Sequence, residues 1–486
     1  MSKESIEEIA KSRGFFWLSS EIYGGLGGFY DYGHIGSLLK KKWENLWRKY
    51  FLSLDENFYE IEPCNIMHEN VFKASGHIDS FVDPIVKCKK CKKSERADHI
   101  IEEQLKESFE GLSAEELTKI IKKHNVKCPA CGGELEEVGI LNMMFPVKAG
   151  DATAYLRPET AQGAYVNFLR CYEHLRRKIP FGLAIVGKAY RNEINPRNSL
   201  IRMREFTQAE LQIFFDPSKM EKHEKFSEIE EKKLRIKFSG KNEEWILCGD
   251  LNLPKMYVYY LQKIQHFYLD ILKIPEEKFR FRELSEEERA FYNRIHFDIE
   301  LKISGIWREV GGLHYRTDHD LKGHEKISKQ KMQISENGNK FMPHVLELSF
   351  GVDRNIYALL DVGYHEEKVK EEERIIFRLP KNLSPFDCAT FPLVSKDGLP
   401  EKAKEIKKML SSMFSVFYDE SGSIGRRYRR MDEIGVAACI TIDHQTLEDG
   451  TVTLRDRDSM KQVRIRTDDL CNALYKFLNG EELGKL

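Results

Sequence analysis

The sequence predicts an α+β fold with a separate, smaller α/β unit at the C-terminus, and three observations lead there. Apolar residues fall at Ile35, Leu38, Leu39, Trp43, Leu46, Trp47, Tyr50 and Phe51, with Lys40, Lys41, Glu44, Asn45, Arg48 and Lys49 opposite, which is the spacing of an amphipathic helix. Strand patterns collect in Phe181 to Phe215, Phe297 to Ile303 and Val345 to Phe350. After the almost wholly charged run Glu366 to Arg374, which suits a solvated helix end, the pattern restarts as strand, helix, strand from Ile375. A domain boundary near residue 375 follows, dividing 1–374 from 375–486.

The chain has 486 residues, room for roughly three domains' worth of core. Lys plus Arg number 77 and Asp plus Glu 78, so the formal charge is 77 − 78 = −1, and any polyanion partner must be met by a local patch rather than a whole-protein field. No apolar run approaches the ~18–20 residues of a membrane helix, and Met1 to Ala10 alternate Lys and Glu with apolar residues without the apolar stretch of a secretory signal. A soluble, cytoplasmic protein with no membrane partner is expected.

Before the first helix lie Gly24, Gly25, Gly27 and Gly28, which lack the Gly-Lys-Ser/Thr of a phosphate loop and suit a closely packed turn. From Lys87 to Gly139 the composition shifts to Lys, Cys and Glu, as in an insertion, and Ser113 with Glu116 predicts a capping box opening a helix to His124. The charged, aromatic stretch from about 218 to 292 reads as a second, helical insertion.

Four of the ten cysteines form two tight pairs, Cys88 with Cys91 and Cys128 with Cys131. Four thiolates in two knuckles are the ligand set of a closed, structural Zn2+ site, with no open position for catalysis. The 36 residues between the pairs exceed usual ribbon spacing. His296, Asp298 and Glu300 alternate with Phe297, Ile299 and Leu301, and suit a polar strand face better than a metal site.

Chemistry concentrates between Arg191 and Glu210, read as strand, loop and strand with Asn195, Pro196, Asn198 and Ser199 marking the loop. In the second strand Ile201, Met203, Ala209, Leu211 and Ile213 form one face and Arg202, Arg204, Phe206, Gln208, Glu210 and Gln212 the other; Arg191 and Glu193 share a face of the first. Guanidinium groups, an aromatic ring and carboxylates on one surface suit a nucleotide, though a salt-bridged sheet face would look the same. Farther on, Val345, Glu347 and Ser349 alternate with Leu346, Leu348 and Phe350, and Gly351 opens a helix carrying Arg354.

Together these segments resemble the second and third motifs of class II aminoacyl-tRNA synthetases. The strings Phe-Lys-Ala-Ser-Gly-His (72–77), Leu-Arg-Pro-Glu-Thr-Ala-Gln-Gly (156–163), Tyr-Arg-Asn-Glu-Ile-Asn-Pro-Arg (190–197), Arg-Thr-Asp-His-Asp-Leu (316–321) and Gly-Ser-Ile-Gly-Arg-Arg-Tyr-Arg-Arg (422–430) resemble the homodimeric glycyl-tRNA synthetase family, over about residues 14 to 466. The resemblance implies a six- to seven-stranded antiparallel sheet as catalytic core and a C-terminal α/β anticodon-binding domain. The helix from Ile35 and a strand ending at Pro63 fit the family's first motif, at the dimer interface. Leu348 replaces a common Pro, and Gly312 to Tyr315 depart from the usual version of their strand.

The resemblance also implies roles. Glycine would be held by Glu159, Glu210, Glu347 and Ser349, with Phe206 and Arg96 also in contact. ATP would meet Arg191, Asn192, Glu193, Ile201, Arg202 and Phe206 from the second motif, Glu309 and Val310 from a neighbouring strand, and Gly351 and Arg354 from the third. Arg191 would sit at the α-phosphate and act with Arg354 as the catalytic pair, Arg202 and Arg354 around the outer phosphates, and Mg2+ would bridge phosphate oxygens. The implied reaction is ligation of glycine to tRNA(Gly) through glycyl adenylate, by a homodimer. Arg426, Arg427, Arg429 and Arg430 around Tyr428, with Arg455, Arg457, Arg464 and Arg466 beyond, suit single-stranded anticodon bases and phosphates. Two alternatives stay open: an inactive synthetase-like nucleic-acid-binding protein, and a class II enzyme for another small amino acid.

Overall fold

The computed structural model describes residues 6–105, 109, 112–196, 199–286, 288–290, 292–336, 338–369 and 372–485. Arg197 and Asn198, expected in the loop between the site strands, lie outside the described residues.

The stripe from Ile35 becomes helix α1, His34–Phe51, which buries Ile35, Leu39, Trp43, Trp47 and Phe51. A four-residue repeat keeps these side chains on one face. Its first turn is pressed against the preceding segment: a Cβ on Gly36 would lie 1.9 Å from the Phe15 carbonyl oxygen, so only glycine fits. The glycine-rich turn before it is likewise a packing device, since a Cβ on Gly28 would lie 2.5 Å from Pro196.

Helix α1 packs on a nine-stranded sheet. In chain order its strands are β1 Phe58–Glu60, β2 Phe181–Tyr190, β3 Glu205–Phe215, β4 Lys233–Lys237, β5 Glu243–Leu247, β6 Phe279–Glu283, β7 Ile295–Ile303, β8 Ile306–Thr317 and β9 His344–Gly351. Across the sheet they run β5-β4-β6-β7-β8-β9-β3-β2-β1. The pairs β1–β2 and β4–β6 are parallel, and the other pairs are antiparallel. The sheet is therefore larger than the six or seven antiparallel strands expected. The stretch 218–292, expected to be helical, supplies β4, β5 and β6 besides its helix Lys255–His266. Leu234 and Ile236 point inward from β4, while Arg235 and Lys237 beside them carry charge, so a short strand with one charged face resembled a helical charge pattern.

The central strands sort their residues by alternation. Ala209, Leu211 and Ile213 of β3 and Leu346, Leu348 and Phe350 of β9 enter the core with Trp43, Trp47 and Phe51. Truncating Trp47 to Ala would cost about 3–5 kcal/mol. Gln208, Glu210 and Gln212 lie on the opposite face and are buried there too. That face is roofed by helix α2, Ala161–His174, and by the helix His319–Ser328, whose Tyr165, Phe168 and Leu321 share a second apolar cluster.

The charged run ending at Arg374 is a β-hairpin, Tyr364–Val369 against Glu372–Phe377, and not a helix end. Arg374 explains the difference: it is 1% exposed and bonds Asp432 at 2.9 Å and Glu367 at 3.1 Å. Beyond it a five-stranded sheet runs in the order Val416–Tyr418, Cys388–Pro392, Ala438–Ile442, Thr451–Asp456, Gln462–Arg466. Helices Leu399–Leu410 and Leu470–Leu478 complete its own apolar cluster. Among the described residues no helix is long and apolar enough to cross a membrane.

Candidate active site

The sheet register builds the site as two rows crossing four strands. In one row Glu210 faces Ser349, Ser349 faces Gly312, and Gly312 faces Asp298; in the next, Gln212 faces Glu347, Glu347 faces His314, and His314 faces His296. Residues opposite one another across a ladder share a face, so these side chains crowd one patch. Glu159, just ahead of α2, joins them in a cavity that also admits Arg191, Arg202, Phe206, Glu309 and Arg354.

The acidic end of this cavity is organised by a residue whose role the sequence reading did not see. Arg316 is 1% exposed and donates to Asp320 at 2.9 Å, Glu347 at 3.0 Å and Glu159 at 3.3 Å, with its guanidinium 4.2 Å from the Tyr292 ring centre. Its four-residue spacing from Asp320 was the available signal. Glu347 also accepts from Gln212 Nε2 at 2.8 Å, and Glu210 from Thr160 Oγ1 at 2.6 Å and Ser349 Oγ at 2.9 Å. Glu210 thus has hydroxyl partners but no ion pair to Arg316.

The electrostatics follow. Burial, then Glu347 and Glu159, push Glu210 up to about 8, against the bonds from Thr160 and Ser349. Burial would raise Glu159 as well, but Arg316 and His77 overcome it and hold that carboxyl well below its ordinary range. Burial raises Glu347, with Arg316 opposing and Glu159 adding to the rise. Three carboxyls share the one guanidinium and Glu210 stands beside them without a cation, which leaves a buried deficit of positive charge, the complement of a small ammonium group.

The other end of the cavity is cationic. Arg191 lies with its guanidinium carbon 5.2 Å from the Phe206 ring centre, and its Nε donates to the Pro158 carbonyl at 3.1 Å. Arg202 pairs with Glu193 at 2.5 Å, and Arg354 donates to Ile201 O at 2.9 Å and Glu309 O at 3.0 Å. Arg191 and Glu193 follow β2, and Ile201 and Arg202 precede β3, so four residues expected on strands belong to the connecting loop. A tight bond from Glu193 N to Arg191 O at 2.7 Å ends the ladder there. Asn192 is held by its backbone N on Met143 O at 2.7 Å, Val310 is wholly buried with its carbonyl on Asn355, and a Cβ on Gly351 would crowd Arg354 at 3.3 Å.

Arg96 pairs with Asp98 at 2.5 Å and Asp83 at 3.3 Å, and lines a cleft that shares Arg191, Arg202 and Arg354 with the cationic end of the cavity and does not include Glu159, Glu210 or Glu347. Arg427, expected on a tRNA-facing surface, is 2% exposed and caps the Pro392, Leu393 and Gly422 carbonyls. It lies on the inner face of its helix, Ile424–Asp432, beside Met431. Arg455 and Arg457 are buried likewise, the former on Asp432 at 3.0 Å and the latter on Leu379 O at 2.7 Å. Arg426 stays exposed, and Arg430 pairs with Asp419 through Nε at 2.9 Å.

In the segment 87–139, Cys88 Sγ lies 3.6 Å from Cys131 Sγ and Cys91 Sγ 3.7 Å from Cys128 Sγ, and all four sulfurs lie within 4.8 Å of one another. A tetrahedral Zn2+ with bonds of about 2.3 Å requires sulfurs about 3.8 Å apart, so the residues fit the metal. A Cβ on Gly133 would lie 3.0 Å from Cys88 Sγ, which leaves only glycine room at the knuckle. The capping box of Ser113 and Glu116 is present, with both reciprocal bonds.

Residues 387–476 match the family described as anticodon binding domain. A crystal structure titled as the RNA binding domain of threonyl-tRNA synthetase from Cryptosporidium parvum superposes with a TM-score of 0.62 over 98% of each chain, at 18% identity, a likeness of fold. The sheet, its arginine-and-carboxylate cavity and the C-terminal domain define a class II aminoacyl-tRNA synthetase fold. The sequence is 41% identical to a glycine–tRNA ligase of Pyrococcus abyssi over 98% of each chain, and 37% identical to one of Methanocaldococcus jannaschii over 98% of this chain and 99% of that one. The chain belongs to the glycine–tRNA ligase family.

Proposed function

We propose that this protein activates glycine with ATP and transfers it to tRNA(Gly). The observation that carries the reading is the polarity of one cavity, with Glu159, Glu210 and Glu347 at one end and Arg191, Arg202 and Arg354 at the other. A glycine ammonium seated near Glu210 and Ser349 directs its carboxylate toward Arg191, where the α-phosphate of ATP would lie beside Phe206. The carboxylate attacks that phosphorus and pyrophosphate leaves; a hydroxyl of the terminal ribose of tRNA then attacks the glycyl carbonyl, forming the ester as AMP leaves. Positioning and charge neutralisation by the arginines supply the catalysis, so no protein nucleophile is required. Mg2+ accompanying ATP would spread the phosphate charge, with the Glu309 carboxylate at the mouth a suitable oxygen donor.

Zn2+ held by the four cysteines would be structural, tying together the segment 87–139. The division near residue 375 belongs to the same reading, with tRNA met by the exposed face of the helix Ile424–Asp432. A homodimer is supported by an apolar surface groove around Ile61, Pro63 and Met67, flanked by Ile66 at 49% and Val166 at 39% exposure. ATP–pyrophosphate exchange with glycine, alanine and serine tests the core reading, because stimulation by glycine alone is expected. No exchange with any of them would leave a nucleic-acid-binding protein instead.

A further inference from the structure

The strand β8 holds Gly311, Gly312 and His314 beside the acidic pocket, and this is the stretch that departs from the usual family pattern. Gly312 sits between Ser349 and Asp298 in its row and contributes no side chain, which leaves a slot next to the pocket. Two imidazoles lean into it. A Cβ on Gly312 would meet His314 Nε2 at 2.6 Å and His296 Nε2 at 3.2 Å. Gly311 cannot fill the space either, because a Cβ there would lie 2.3 Å from the Ser349 carbonyl oxygen.

We propose that His314 determines specificity, its ring forming the wall that stops a side chain on Cα from entering the amino-acid pocket. The inference rests on the glycine-activating reading above. His314 lines the same cavity as Glu210, Glu347 and Ser349, with Nε2 3.6 Å from Glu347 Oε1. The ring cannot swing away. Its Nδ1 lies 3.2 Å from Asn293 Nδ2, and His296 backs it with ring centres 4.0 Å apart. His296 is in turn fixed by Asp298, 3.1 Å from its Nε2. Burial, then His296 and Arg316, keep His314 well below its ordinary pKa, so it stands as a neutral ring and leaves the ammonium to the carboxylates. A smallest substrate offers no side chain to recognise, so it can be selected only by excluding larger ones, and a ring held by Asn293 and packed at a tilt against His296 is suited to that.

The test is His314→Ala in the full-length chain, assayed by ATP–pyrophosphate exchange with glycine and with alanine. The ratio of kcat/KM for glycine to that for alanine should fall by about 10- to 100-fold, through a gain in alanine turnover, the range a methyl-sized opening commands. A gain with the wrong substrate is a readout that mere loosening of the sheet would not produce. His314→Asn opens part of the slot and should lower the ratio by about 3- to 10-fold, which carries the test if the alanine variant does not fold. An unchanged ratio in either folded variant overturns the proposal. Wild-type protein that shows no glycine-dependent exchange would instead overturn the functional reading, so the two failures are separable.

Discussion

Glycine binding should expel a proton at neutral pH, and Glu210 is its source. In the empty pocket burial and the adjacent Glu347 and Glu159 hold this carboxyl at about 8. An ammonium group needs the anion. With a pKa of about 8, roughly one molecule in eleven carries ionised Glu210 at pH 7, so glycine affinity there is about 10-fold weaker than on the plateau above pH 8, or ~1.4 kcal/mol. Binding at pH 7 releases about 0.9 proton, and each unit of acidity below that costs a further ~10-fold. The sign for stability is opposite: a carboxyl raised above its unfolded value binds more protons when folded, so the empty protein loses stability as pH rises from about 4.3 to about 8. Titration calorimetry of glycine in buffers of different ionisation enthalpy reads the proton count directly, and exchange assays between pH 6 and 8.5 read the KM. Glu210→Gln should abolish the release and flatten the pH dependence while raising the KM for glycine. A wild-type KM that is flat across pH 6–8.5, or a proton release that survives in Glu210→Gln, would refute the reasoning.

Three further outcomes are expected. Glu347→Gln removes a carboxylate that also braces Arg316 at 3.0 Å, and should raise the KM for glycine by about 10- to 100-fold with less effect on that for ATP, measured by exchange kinetics. Cys128→Ser should release about one zinc per chain, read by elemental analysis, and expose the segment 87–139 to proteolysis; wild-type protein without zinc would end the claim. Arg427→Ala should lower the melting temperature because three backbone carbonyls lose their donor, whereas Arg426→Glu should leave melting intact and weaken tRNA binding most at low salt.

Much of this molecule was legible from local pattern. The four-residue stripe of α1, the alternation in β3 and β9, the capping box at Ser113 and the paired cysteines each arise within a few residues, where backbone geometry and side-chain spacing determine the outcome. Charged segments were harder. The run to Arg374 and the stretch supplying β4 to β6 were misjudged because a charged residue on a short strand and one on a helix face look alike in sequence. The largest departures concern arginines. Composition marked Arg427, Arg455 and Arg457 as a cationic surface, and the fold turned them inward to carbonyls and to Asp432.

By itself, the sequence determined the faces of β3 and β9: period-two alternation put Glu210 with Gln212 and Glu347 with Ser349, and the motif strings located the arginines along the chain. Which residues meet was decided only by the tertiary structure. Glu210 reaches Ser349 across 139 residues, Arg316 reaches Glu159 across 157, and Arg374 reaches Asp432 across 58. Alternation says that a side chain faces the site, but not which strand lies beside it or in what register. The protonation of Glu210, the bracing by Arg316 and the slot at Gly312 all depend on that register, because charge coupling and steric fit act between neighbours in space.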